Sequence, residues 1–416
     1  MSEAVQSISS TAPTNSTLLS PGGIPRRFGR ESPAHITGVG AVTGYGWGRK
    51  HIWDGFLLGE SAVKLTEGFP AFREEATAYV AKVTADGDRR DGPSRFMQAV
   101  RFAAREAITD ALERGWKPGP TVGLVHSLVL GDAEIWRDFY RSGVSAEPRQ
   151  WVTMMPSTVI AMLMKEYDFH GPSMSVSAMC SSGNAGIITA KSWLDSGIAS
   201  DVIFLNCDLS LLSQTVKSFC DLGVAVADAP ALDACRPFQE GSRGFPGGEA
   251  AVGMVLSTQD RGSYGSVLGG RMTMDGFNAV SINPDLAEVF RCFRETMESS
   301  GVDPSEVAYF NAHGPGTAQC DGAEAQVLDE LFPQAHGIFS VKPLTGHCQA
   351  AASGVEILAT LYAFQTGFIP APRQVAPGHP RLVDGLTARL PGPMVKSSIG
   401  LGGFNSALVI AEPDLR

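Results

Sequence analysis

SMSVSAMCSSGNAGIITAKSWLDSG, residues 173–197, is the stretch on which the fold turns. Ser173 to Cys180 is a β-type run, and the Ser-Ser-Gly after Cys180 opens a helix with apolar residues at helical spacing. DVIFLNCD (Asp201 to Asp208) follows as a short apolar run of the kind buried in a parallel sheet. Strand, helix and strand at this pace predict right-handed parallel βαβ units. Upstream, SRFMQAVRFAAREAITDALERG (Ser94 to Gly115) has helical spacing and a closing glycine. TVGLVHSLVL (Thr121 to Leu130) reads as a strand, and the ordered chain is expected to begin at His35 in HITGVGAVTGYG.

A second cycle runs from about Gly265. It comprises SVLGGRMTMDG, a helix over Pro284 to Ser299, a strand over Val307 to Gly314 and a helix over Gly322 to Leu331. GIFSVKP, a helix over Ala350 to Thr366 and the closing MVKSSIGLGGFNSALVIAEP complete it. Cys180 and His313 each end a strand in their own half, which hints at a duplicated fold. Met1 to Pro33 is rich in Ser, Thr, Pro and Gly and lacks apolar periodicity, so residues 1–33 read as a disordered tail without the basic start and apolar core of a secretory signal. The expected division is 34–260 for the first half and 261–416 for the second.

The balance of 33 Lys+Arg against 43 Asp+Glu gives −10, which argues against a nucleic-acid face. No apolar run reaches the roughly 18 residues of a membrane span. The seven cysteines form no CxxC pair and are odd in number, so reduced thiols in a cytoplasm fit better than a disulfide framework.

Cys180 lies at a strand-to-helix elbow, where a thiol is presented on a turn and the positive helix start favours its anion. Position alone does not separate this from a buried structural cysteine, and the other six cysteines, lacking the elbow, read as structural. His313, His347 and Lys342 also end predicted strands, and the four together suggest a reactive site. No HExxH and no zinc-spaced pair appears, so no metal is expected. Gly400, Gly402 and Gly403 do not form GxGxxG. They better suit a backbone approaching a reacting carbonyl, its N–H groups serving as oxyanion donors.

SVSAMCSSGNAGI, CRPFQEGSRGFPGGEAA, NAHGPGTAQCDGAEAQVL, VKPLTGHCQAAASGVE and SSIGLGGFNSALVI, in this order, resemble the motifs of β-ketoacyl-ACP synthases, the condensing enzymes of fatty acid and type II polyketide synthesis. The resemblance covers about His35 to Pro413. It implies an α/β thiolase-like fold of two pseudo-symmetric βαβαβαββ halves in five layers, assembled as a homodimer or as a heterodimer with a homologous subunit. It implies Cys180 as acyl-accepting nucleophile, and His313 and His347 as the histidines that bind the malonyl thioester and promote decarboxylation. Lys342 would order the site, Glu324 and Glu356 would support it, and the N–H groups of Cys180 and Leu401 would form the oxyanion hole. Substrates would arrive on the phosphopantetheine of an acyl carrier protein, with no metal, nicotinamide or flavin.

Departures from the family pattern bear on specificity. Pro315 and Gly316 precede Thr317 where a Thr-rich run is usual, Ile399 and Leu401 replace the aromatic gate, Gly241-Ser242-Arg243 replaces a more acidic stretch, and Met179 is bulky enough to line the acyl pocket. These favour a specialised synthase. Arg89, Arg90 and Arg95 form an expected basic patch for the acidic carrier protein. A chain-length-factor-like subunit and an acyltransferase without decarboxylation are the competing readings; the presence of Cys180 and both histidines counts against each.

Overall fold

The structure, a computed structural model, describes residues 32–70, 76–142 and 150–413. All but two residues of the expected tail lie outside these. The first set of core strands is β1 (Ala34–Thr43), β2 (Val122–Ser127), β3 (Ser173–Val176), β4 (Asp201–Asp208) and β5 (Ala250–Ser257). The second is β6 (Gly265–Met274), β7 (Tyr309–Asn311), β8 (Gly337–Phe339), β9 (Met394–Gly400) and β10 (Phe404–Ala411). The principal helices are α1 (Arg95–Glu113), α2 (Pro156–Glu166), α3 (Ser182–Asp195), α4 (Ala287–Ser300), α5 (Ala318–Leu331) and α6 (Ala352–Thr366).

The strands lie in the order β8-β7-β9-β10-β6-β1-β5-β4-β2-β3. Each set therefore repeats one arrangement. In the first, β2 is parallel to β3 and β4, while β5 is antiparallel to β4 and β1. In the second, β7 is parallel to β8 and β9, while β10 is antiparallel to β9 and β6. Chain order in both is βαβαβαββ. The sets meet where Ala34, His35 and Ile36 of β1 pair with Val267, Ser266 and Gly265 of β6. This correspondence corrects one expectation. His313 follows β7, whose counterpart is β2; the counterpart of the Cys180 loop is the 340–351 loop between β8 and α6.

Three apolar layers follow from these elements. The alanine face of α1 packs on β1 and β5, and glycine in β1 is what allows the approach: a Cβ at Gly38 would lie 2.2 Å from the Ala107 carbonyl oxygen. Ser94 caps α1 by accepting the Met97 N–H at 3.2 Å. On the opposite outside, α4 and α5 cover the second strand set with Phe293, Phe310 and Phe332 between them. In the middle, α3 and α6 touch each other and strands of both sets. Every residue of α6 from Ala352 to Ala363 is buried, which explains why it is apolar all round. Its one carboxylate, Glu356, must then find cations inside the protein.

Several predicted elements shorten or shift. The strand expected over Val307 to Gly314 is only Tyr309–Asn311, because the chain must leave the sheet to present His313. The helix expected from Gly322 starts at Ala318, and α6 is preceded by a 3-10 turn over Gln349–Ala351.

Candidate functional site

The elbow at Cys180 is built from small polar side chains. Met179 adopts φ +49°, a left-handed conformation uncommon outside glycine. Ser182 Oγ holds that turn, accepting the Ala178 N–H at 2.8 Å and donating to the Met179 carbonyl at 2.6 Å. The hairpin of β9 and β10 clamps it from the second half of the chain. Ser181 Oγ donates to the carbonyls of Ser398 (3.0 Å) and Phe404 (2.8 Å), and Ser398 Oγ donates to the Cys180 carbonyl at 3.0 Å. This places the turn after β9 against the thiol, where the Leu401 N–H favours the sulfur's anion.

Facing the sulfur are two imidazoles. One nitrogen of His313, one nitrogen of His347 and Cys180 Sγ all lie within 4.8 Å of one another, and the rings meet edge to face at 5.2 Å. Lys342 Nζ lies 3.1 Å from His313 Nδ1 and also donates to the His313 carbonyl. An ammonium only donates, so Nδ1 of His313 accepts and Nε2 carries the proton. His347 Nδ1 accepts the Gln349 N–H at 2.9 Å, which assigns the same tautomer. Both rings therefore carry their proton on Nε2. Glu324 fixes the His313 loop by accepting the N–H groups of His313 (2.6 Å) and Gly314 (2.7 Å). Glu356 pairs with Lys342 through Oε1 and with Lys396 through Oε2, the latter at 2.7 Å.

Burial dominates the electrostatics. It pushes the Cys180 thiol up to about 11, against the opposing pull of Lys342 and the Leu401 N–H. The expected thiolate character is thus outweighed: a helix start beside a sulfur only 7% exposed does not compensate for lost water. Burial, with Lys342 beside them, also holds His313 and His347 well below the usual histidine range, so both are neutral near pH 7. Burial lowers Lys396 as well, against the pull of Glu356.

Two neutral N–H donors opposite a thiol, with backbone N–H groups at its other side, can acylate the sulfur and stabilise an enolate. The model of the beta-ketoacyl synthase N-terminal domain matches residues 31–261, and that of the C-terminal domain matches residues 264–375. The chain belongs to the β-ketoacyl synthase family. It is 28% identical to the oxytetracycline polyketide putative beta-ketoacyl synthase 1 of Streptomyces rimosus, over 91% of this chain and 96% of that one. Its fold resembles that of AntDE:AntF, a type II polyketide acyl-carrier protein in complex with its ketosynthase (TM-score 0.80, 20% identity, 92% of this chain and 100% of that chain). It also resembles the ketosynthase ApeO in complex with its chain length factor ApeC from Xenorhabdus doucetiae (TM-score 0.77, 20% identity, 92% and 98%).

In this synthase a cavity of about 350 Å³ reaches the thiol. Cys180, His313, His347, Thr317, Ile399 and Leu401 all line it. Lys342, Glu324 and Glu356 sit one layer behind, fully buried. Met179, expected at the acyl pocket, is not among the residues lining this cavity. Arg95 is not a surface cation: its guanidinium is spent on buried Glu249 and on Glu134. Arg90 is exposed and paired with Asp88 at 2.5 Å. The Cys180, His313 and His347 donors have the number and type for a zinc ion. A metal on either Nε2 would, however, force the proton onto an Nδ1 that already faces a donor, so the surrounding shell opposes it.

Two participants escaped the sequence reading. Lys396 sits inside strand β9, and a lone charge in an otherwise uncharged buried run is the available signal. Cys320, expected to be structural, lines the cavity beside Glu324, with Sγ 3.8 Å from Oε2.

Proposed function

We propose that this protein is a β-ketoacyl-[acyl-carrier-protein] synthase that performs decarboxylative Claisen condensation in a type II polyketide or related fatty acid pathway. The observation that carries this is the meeting of one thiol with two imidazoles that both present Nε2–H. An acyl group passes from carrier pantetheine to Cys180, whose thiol proton goes to the departing pantetheine sulfur. Malonyl thioester then binds with its carbonyl oxygen toward His313 and His347. Loss of CO2 leaves an enolate whose negative oxygen those two N–H groups stabilise. The enolate carbon attacks the acyl-Cys180 carbonyl, and the oxyanion that forms is held by the N–H groups of Cys180 and Leu401. Collapse expels the Cys180 sulfur as a thiolate, which takes a proton from water, and yields the β-ketoacyl thioester.

Lys342, pinned by Glu356, keeps His313 Nδ1 in the accepting role, and Glu324 sets the loop that carries the ring. Every heavy atom in this scheme comes from the chain and its thioester substrates, and the one proton consumed comes from water, so it calls on no cofactor beyond the carrier's phosphopantetheine. Thr317 would contact the pantetheine arm, and Ile399 and Leu401 would set which acyl chain enters. A carrier protein is the partner this chemistry requires. A homologous subunit, identical or of the chain-length-factor kind seen with ApeO, suits the edge strand β3, where Ser173, Met174 and Ser175 are exposed at the end of the sheet. All seven cysteines are free, which suits a cytoplasmic location. Among the described residues no helix is long and apolar enough to cross a membrane.

Intact-mass analysis with a panel of acyl-carrier thioesters tests the scheme. The wild type is expected to gain the acyl mass and Cys180→Ala to gain none. Equal labelling of both proteins would remove Cys180 from the mechanism.

A further inference from the structure

We propose that Lys396 is a positioning residue of the condensation site: its ammonium occupies one oxygen of Glu356 so that the other can hold Lys342 against His313. This rests on the synthase reading above and extends it to a residue behind the cavity wall. Lys396 stands in β9 beside Asn311 of β7, and its side chain is wholly buried. Nζ is 2.7 Å from Glu356 Oε2 and also donates to the Ser397 carbonyl. Glu356 Oε1 meets Lys342, and Lys342 meets His313 Nδ1. The chain of contacts thus runs from Lys396 to the imidazole through one carboxylate.

Stability does not account for this lysine. A buried ammonium carries a large desolvation cost, and an apolar side chain of the same length would fill the space without it. Charge balance does account for it. Lys342 and Lys396 oppose Glu324 and Glu356 in one dry region, with Asp321 beside Glu324 pushed up to about 7 by burial. Removing Lys396 leaves a net negative charge and takes from Oε2 the cation paired with it, no hydrogen bond reaching that oxygen. Lys342 is then drawn toward the carboxylate, and the imidazoles lose a neighbouring positive charge that resists their protonation. Protonation matters because Nδ1 of each ring must stay bare to accept its donor. The groups facing the two rings are Lys342 before α6, Glu356 on α6, Glu324 and Cys320 on α5, Lys396 on β9 and Cys180 before α3, with Asp208 of β4 close to Cys180.

The test is CO2 release from a malonyl-pantetheine thioester by the full-length protein, as a function of pH. Lys396→Gln is expected to lower kcat about 10-fold with little change in KM, since it acts behind the donors and not on substrate. Its acid limb should move up by about one pH unit, the effect of deleting a nearby cation. Lys396→Arg should keep the wild-type pH midpoint. The pair Lys396→Gln/Glu356→Gln should be no slower than Glu356→Gln alone, because both act through one carboxylate. A Lys396→Gln protein with wild-type kcat and pH profile overturns the proposal. So does a Lys396→Arg protein whose pH midpoint is displaced, which decides the matter if the glutamine variant does not fold. A wild type that neither takes an acyl group nor releases CO2 overturns the synthase reading itself, whereas an active wild type with an indifferent Lys396→Gln overturns only the role given to Lys396.

Discussion

His347 Nδ1 accepts the main-chain N–H of Gln349, two residues on, at 2.9 Å, and Gln349 adopts φ +48° to turn that N–H back toward the ring. Backbone strain at a non-glycine residue is thereby coupled to a histidine tautomer. The ring can donate from Nε2 but has no free lone pair with which to act as a base. Phe245 holds the other side of the imidazole, with ring centroids 4.4 Å apart.

A donor that is not a base should matter for one half-reaction only. His347→Ala is expected to keep acyl transfer to Cys180 within a few-fold and to lose about 10²- to 10³-fold in condensation, as for removal of one oxyanion donor. Intact mass follows the first step and CO2 release the second. Equal loss in both would place His347 in the transfer step as well.

Alkylation of Cys180 should climb steeply with pH. With the thiol raised to about 11, roughly one sulfur in a thousand is ionised at pH 8, so the iodoacetamide rate should rise about tenfold per unit between pH 7 and 9. Lys342→Met removes a cation that lowers the thiol and should slow alkylation at every pH in that range. A rate already level at pH 7 would show the thiolate to be the resting form.

Gly400 leaves the backbone beside the thiol open. A Cβ there would sit 3.3 Å from both the Cys180 and Ser181 nitrogens. Gly400→Ala should therefore crowd the N–H that receives the oxyanion, lowering acyl transfer by about 10²-fold. Its melting temperature should change little, because neighbours need to give by only a few tenths of an ångström. A large fall in melting temperature with unchanged specific activity would contradict this.

His126 on β2 is wholly buried beside Phe96, and burial lowers it to about 4. As pH falls below 6.5 the unfolded chain takes up a proton that the folded ring refuses, so folding loses stability, by about 2 kcal/mol at pH 5. His126→Leu should remove that loss. The wild-type-minus-variant stability, from denaturant unfolding at pH 7.5 and pH 5, should shift toward the variant at the lower pH. An unchanged difference would mean that the folded protein accommodates the imidazolium.

What the sequence disclosed was whatever local pattern controls. The run from Ser173 through Asp208 is a strand, an elbow, a helix and a strand, because apolar spacing and small turn residues act over short distances. Cys180, His313, His347 and Lys342 stood out as reactive types at strand ends, and the structure gathers them. Lys396 did not stand out, since a lysine in a strand ordinarily points to solvent and its partner Glu356 is forty residues away in sequence. Arg95 misled for the converse reason: a basic residue near a helix start looks exposed until the buried Glu249 is placed beside it. The helix start that favours the Cys180 anion is local, whereas the burial that outweighs it is a property of the assembled layers, and no neighbour in sequence reports it.

The helices α3 and α6 each lean on strands from both halves of the repeated topology. Neither half, severed in the 258–264 connection, would keep a complete covering for its inner sheet face, and each fragment would present Val, Ile and Leu to water. The sulfur and the imidazoles that oppose it thus depend on the same two inner helices, and a cut between the halves would uncover both partners of the site at once.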